Sequence, residues 1–118
     1  SAGFPSPADD YIDKKLDLNE HLIRHPASTF FVRVVGDSMT NAGMNSGDLI
    51  VVDRSVEPTN NKIVLAIVNG EFTVKRFCLR KGKIFLVPEN DKYHEIEIKD
   101  ENQFEVWGVV TSVIHEVK

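Results

Sequence analysis

Seven short runs rich in Val, Ile and Phe restrict the fold of this chain more than any other feature. They read TFFVRVVG, GDLIVVD, KIVLAIVNG, EFTVKRFCLR, KIFLVPE, YHEIEIK and FEVWGVVTSVIHEV. β-Branched and aromatic side chains suit a pleated, half-buried surface, and runs of this length between polar breaks read as strands. The breaks carry turn chemistry. Asn69-Gly70 sits between two apolar runs, and a two-residue type I′ turn needs positive φ at both central residues. Lys81-Gly82 predicts a second tight connection. So many strands with so little helical pattern predict a mostly β protein, a coiled and mainly antiparallel sheet assembly. The 118 residues are enough for one domain with one modest core. There is no internal repeat and no low-complexity tract.

Ahead of the strands the texture differs. Residues 1–15, SAGFPSPADDYIDKK, hold two prolines and a glycine with little periodicity, which predicts a flexible, extended N-terminal arm. Residues 16–118 then form the folded domain. Asp17 is placed to N-cap a short helix from Leu18 to about His25, ended by Pro26, with Leu18 and Leu22 on its apolar face. At the other end, the run from Val106 to Ile114 is apolar on both alternating faces. Such a strand is not expected at an exposed edge. It is either buried inside the sheet or paired across a two-fold axis.

Composition narrows the function classes. The formal net charge is −4, with Lys and Arg scattered and no helix-turn-helix or basic arm. Direct, sequence-specific DNA binding is not expected, whereas a protein partner is. Apolar residues make up 42%, but no run approaches the roughly 18–20 residues of a membrane span, and no signal peptide is visible. Cys78 is the single cysteine. It allows no internal disulfide and no Cys-rich zinc site, and suits a reducing cytoplasm. Its expected place is a buried strand position. His21 and His25 stand at i, i+4, but an HExxH glutamate and a third ligand are lacking. No metal or cofactor is predicted. His94 and His115 lie at polar strand ends and carry no assignment.

One turn invites chemistry. Val35-Gly36-Asp37-Ser38-Met39-Thr40 places a serine between two strand-like runs. Ser38 is either an ordinary turn residue or a nucleophile that needs a base. On the run Glu71 to Leu79, alternation puts Thr73, Lys75, Phe77 and Leu79 on one face, so Lys75 has apolar neighbours. Desolvation there would lower its pKa, and a neutral amine is a competent base for a serine hydroxyl. Thr73 is placed to orient it. The bland alternative is a lysine whose stem is buried and whose ammonium reaches water. A rival arrangement pairs Gly36-Asp37-Ser38 with Asp91-Lys92-Tyr93-His94, as in GDSL-type hydrolases. Met39 stands where those have leucine, and their strand–helix alternation is missing.

Taken together, these residues resemble the LexA/UmuD family of Ser–Lys autopeptidases (peptidase family S24), and within it the processed form of the UmuD branch. The resemblance spans essentially the whole chain. It rests on Gly3-Phe4-Pro5-Ser6-Pro7-Ala8, Asp17-Leu18-Asn19, His25-Pro26, Gly36-Asp37-Ser38-Met39, Gly47-Asp48-Leu49, Asp53, Gly70-Glu71-Phe72-Thr73-Val74-Lys75 and Gly108-Val109-Val110. Lys75 follows Ser38 by 37 residues, as the family pattern requires. The resemblance implies Ser38 as nucleophile and Lys75 as general base, with the backbone N–H groups of Asp37 and Ser38 holding the oxyanion. It implies self-cleavage between Ala2 and Gly3. Only Ser1 precedes them, so the chain is expected to approximate the product of the cut. It further implies cleavage stimulated by RecA–single-stranded DNA filaments in the SOS response. A homodimer would then serve a UmuC-type translesion polymerase. A LexA-like or phage repressor C-terminal domain is the alternative within the family. Type I signal peptidases share the Ser–Lys chemistry but would need a membrane anchor.

Overall fold

A computed structural model describes residues 16–118; the expected arm, and with it Ala2 and Gly3, lies outside the described residues. All seven predicted strands form: β1 (Thr29–Arg33), β2 (Leu49–Asp53), β3 (Ile63–Val68), β4 (Glu71–Arg80), β5 (Lys83–Val87), β6 (Ile96–Ile98) and β7 (Phe104–Ile114). They make one sheet in the order β1-β2-β7-β3-β4-β5-β6, antiparallel at every pairing. Both predicted hairpin turns are there. Asn69 and Gly70 have φ of 50° and 85°, and Lys81 and Gly82 have φ of 50° and 76°, the double positive φ of a type I′ turn.

The helix is shorter than expected. Asp17 does cap it, its carboxylate accepting from Asn19 N–H, but α1 covers only Leu18–Leu22 and buries nothing. Of the expected apolar face, Leu18 is 60% exposed and Leu22 is half-buried. The helix stops well before Pro26 because Ile23 is already extended. His25-Pro26 instead opens a single 3₁₀ turn, Pro26–Ser28, that leads into β1.

β7 lies between β2 and β3, so it is not a sheet edge; Gly108 and Val109 are buried, most of its other residues are half-buried, and Ile114 is exposed. Its register slips twice. Leu65 pairs with Gly108 but Ala66 with Val106, leaving Trp107 as an extra residue. Val51 pairs with Ser112 but Val52 with Val110, leaving Thr111. Such bulges bend and twist the sheet and help it wrap two apolar clusters. One gathers Val34, Met39, Met44, Ile50, Val52 and Leu65; the other gathers Val64, Ala66, Phe77, Leu86 and Val109. Trp107 meets Phe30 and Phe72 edge to face at 6.2 and 5.3 Å. Beside it, a Cβ on Gly108 would stand 2.6 Å from Val52 Cγ1 and 3.1 Å from the Asp53 carbonyl oxygen. Gly108→Ala should therefore cost about 1–3 kcal/mol by overpacking, measured as a lowered urea midpoint at unchanged slope.

Buried aspartates bracket β2. Asp48 accepts from Asn45 N–H at 2.8 Å and meets His115 Nδ1 at 2.6 Å. Asp53 meets His25 Nδ1 at 2.5 Å. It also accepts from Ser28 Oγ at 3.1 Å, Ser55 N–H at 2.8 Å and Ser55 Oγ at 2.7 Å. The segments before β1 and after β7 are thus fastened to opposite ends of one largely buried strand. The hydrogen bond to His115, then that from Asn45, lowers the Asp48 pKa against the effect of burial. For Asp53, burial alone would raise the pKa. The hydrogen bonds from His25, Ser55 and Ser28 outweigh it and hold the carboxyl well below the usual carboxylate range.

Candidate active site

The loop from β1 to β2 carries Ser38. It closes on itself, with Val34 N–H donating to Asp48 O at 2.8 Å and Gly47 N–H to Val34 O at 2.9 Å. Met39 and Met44 anchor it in the core, 2% and 3% exposed. Gly36, at φ 89°, supplies a left-handed step that a side chain would strain. With Met39 driven inward, the neighbouring Ser38 faces β4.

There it meets Lys75. Nζ lies 3.0 Å from Ser38 Oγ, 2.7 Å from Thr73 Oγ1 and 3.1 Å from the Val74 carbonyl oxygen. Three partners around one nitrogen fit both protonation states. An ammonium donates to all three. A neutral amine donates to Thr73 and Val74 and turns its lone pair to the Ser38 hydroxyl. Lys75 pairs across the sheet with Val64, which is fully buried. Burial lowers its pKa from the ordinary 10.5, since the charged form loses water there.

The loop after β5 holds the serine turn from the far side. Glu89 N–H donates to Ser38 O at 2.8 Å, and Asn41 N–H donates to Glu89 O at 2.8 Å. Asn90 Nδ2 donates to Asp37 O at 2.7 Å, and the Tyr93 hydroxyl donates to the Asp37 carboxylate. That carboxylate raises the Tyr93 pKa. Glu89 is itself tied to β4 by Arg76 Nε at 2.5 Å. A cleft of about 250 Å³ opens beside Ser38 and Lys75, lined by Val32, Val34, Leu65, Phe72 and Val74 among others. Val35, 91% exposed, and Phe72, 58% exposed, leave its rim apolar.

Other sequence candidates part company. His94 is exposed and has no hydrogen bond to Ser38 among the described residues, so the GDSL-type arrangement is not assembled. From that segment it is Tyr93 that reaches the turn. His25 lies beyond the end of α1 and is engaged by Asp53. Among the described residues no group of three or more His, Cys, Asp or Glu side chains could hold a metal. Cys78 is buried on β4 as expected. Glu89, Asn90 and the partnership of His115 with Asp48 were not anticipated. A Pro-Glu-Asn stretch closing a strand carries no distinctive local signal.

Comparison with known proteins gives the family. The family model described as Peptidase S24-like matches residues 1–111. Protein SamA of Salmonella typhimurium is 50% identical over 117 residues, covering 99% of this chain and 81% of that protein. Protein ImpA of Escherichia coli is 49% identical over 117 residues, covering 99% of this chain and 79% of that protein. LexA repressor of Hahella chejuensis is 36% identical over 115 residues, covering 97% of this chain and 57% of that protein. Among the described residues no helix is long and apolar enough to cross a membrane.

Proposed function

Because this chain belongs to the Peptidase S24-like family, we propose that it is an SOS mutagenesis protein of the UmuD type whose precursor cuts itself with a Ser38–Lys75 dyad. The observation that carries this is the 3.0 Å contact between Nζ and Oγ, made by a lysine whose pKa is lowered by burial. In the reaction, neutral Lys75 takes the Ser38 hydroxyl proton as Oγ attacks the carbonyl carbon of Ala2. The N–H groups of Asp37 and Ser38 hold the oxyanion. As the Ala2–Gly3 bond breaks, Lys75 passes the proton to the leaving amine of Gly3. Water then releases the Ala2 carboxylate from Ser38.

After the cut the chemistry is spent and the chain becomes a binding module. Its homodimer would serve as accessory subunit of a UmuC-type translesion DNA polymerase, and RecA filaments on single-stranded DNA would stimulate the precursor's cleavage. The arm, freed at Gly3, would expose a different surface. The acidic balance of the chain favours protein partners over nucleic acid. The two roles separate by mutation: Ser38→Ala in the processed chain should leave polymerase binding intact.

The test is alkaline self-cleavage of a chain that carries residues N-terminal to Ala2, followed by intact mass between about pH 7 and 10. A product beginning at Gly3 in the wild type and not in Ser38→Ala supports the reading. No cleavage at any pH, with RecA filaments also present, would sink it. In the same assay Thr73→Val should slow cleavage about tenfold, the worth of one good hydrogen bond to the amine. Thr73→Ser, which keeps the oxygen, should restore it. Equal rates for both variants would remove Thr73 from the mechanism.

A further inference from the structure

The peptide planes on both sides of Ser38 are held from outside the turn. On one side, Asn90 Nδ2 donates to Asp37 O at 2.7 Å. On the other, Glu89 N–H donates to Ser38 O at 2.8 Å. In a trans peptide the carbonyl and the following N–H point oppositely in one plane. Whatever fixes the Asp37 oxygen therefore fixes the direction of Ser38 N–H. The turn's own contact to that oxygen, from Thr40 N–H, is long at 3.4 Å, so Asn90 supplies the stronger restraint. A hydrogen bond on the carbonyl also polarises the amide and strengthens its N–H as a donor.

Asn90 is well set for this. Its Oδ1 accepts Lys92 N–H at 2.9 Å, which settles which end of the side-chain amide faces Asp37. A second contact from Nδ2, 3.4 Å to Thr40 Oγ1, keeps it over the turn. Its neighbour Glu89 is bound to Arg76 at 2.5 Å, and Arg76 adjoins Lys75 on β4. The loop thus registers the nucleophile's backbone against the strand that bears the amine.

We infer that Asn90 is a positioning residue for the oxyanion site, acting through the Asp37–Ser38 peptide to aim and polarise the Ser38 N–H. It touches no reacting atom. The inference rests on the Ser–Lys reading above.

The experiment is self-cleavage of the N-terminally longer chain across about pH 7–10, for wild type, Ser38→Ala, Asn90→Ala and Asn90→Asp. Asn90→Asp keeps an oxygen for Lys92 N–H and so preserves the loop's own turn, but loses the donor to Asp37. Melting temperatures are taken alongside. Both Asn90 variants should lower the alkaline plateau rate about 10–100-fold, near or below the loss from deleting an oxyanion donor outright. In Asn90→Ala the midpoint of the pH profile, set by Lys75, should stay in place. A merely structural role would not produce a lowered plateau with an unmoved midpoint and an unchanged melting temperature. Wild-type plateau rates in both variants would overturn the inference alone, and so would a rate loss in Asn90→Ala that comes only from a shifted midpoint. A wild type as inert as Ser38→Ala would overturn the Ser–Lys reading, and the inference with it.

Discussion

Lys75→Ala should slow self-cleavage by about 10⁴–10⁶-fold, the range seen when a member of a nucleophile–base unit is removed. The serine hydroxyl has no other base within reach among the described residues: Lys75 is the titratable side chain in hydrogen-bond contact with Oγ. The pH profile of the wild type follows from the same group. Below its pKa, Nζ holds a proton and cannot accept another, so the rate is low. As pH rises through that pKa the neutral amine accumulates and the rate climbs to a plateau. Burial lowers the pKa from the ordinary 10.5, so the climb falls at lower pH than for a solvated lysine. Lys75→Arg should not rescue the activity, because a guanidinium stays protonated throughout this range. Rates read by intact mass settle it: Lys75→Ala within tenfold of the wild type would remove the amine from the mechanism.

The second large effect concerns stability. Asp53→Ala should cost about 2–3 kcal/mol, seen as a lower urea midpoint. The carboxylate is 4% exposed and takes hydrogen bonds from Ser28, Ser55 and the His25 ring. Its removal leaves donors from the turns flanking β1 and β2 without their partner. Asp53→Asn, which keeps part of the set, should cost less. The pH dependence has a definite sign. The folded carboxyl is held below its unfolded value, so its contribution is complete above about pH 4 and is lost as pH falls further. Asp53→Ala should therefore show a shallower acid limb in stability against pH. An acid limb identical to the wild type would mean that another group sets it.

Local features of this fold were legible because their causes are local. Val, Ile and Phe in short runs made strands, and Asn69-Gly70 and Lys81-Gly82 made the turns that only such pairs allow. Ser38 and Lys75 were legible as candidates from the turn and the strand alternation, and their pairing came from a family spacing. The sheet order was not legible. Nothing local says that β7 enters between β2 and β3, or that Trp107 and Thr111 bulge out of register. The helix was overextended because Pro26 was read as its stop, whereas the chain is already extended at Ile23. Asn90 escaped notice for another reason. Its partner Asp37 lies 53 residues away in the chain, and an asparagine after a strand reads as an ordinary turn.

The place of β7 has a consequence in time. β1 and β2 form one hairpin, while β3 to β6 form a separate meander, and β7 is the strand that joins them. The serine hydroxyl belongs to the first piece and the lysine amine to the second. Synthesis runs from the N-terminus, so a ribosome makes both pieces before the strand that brings them into one sheet. Until that strand emerges, the two pieces meet through the contacts of the serine turn with Lys75 and with the loop after β5, but do not share a sheet. On the proposed reaction, the order of the strands would leave completion of the sheet that frames the dyad to the end of synthesis.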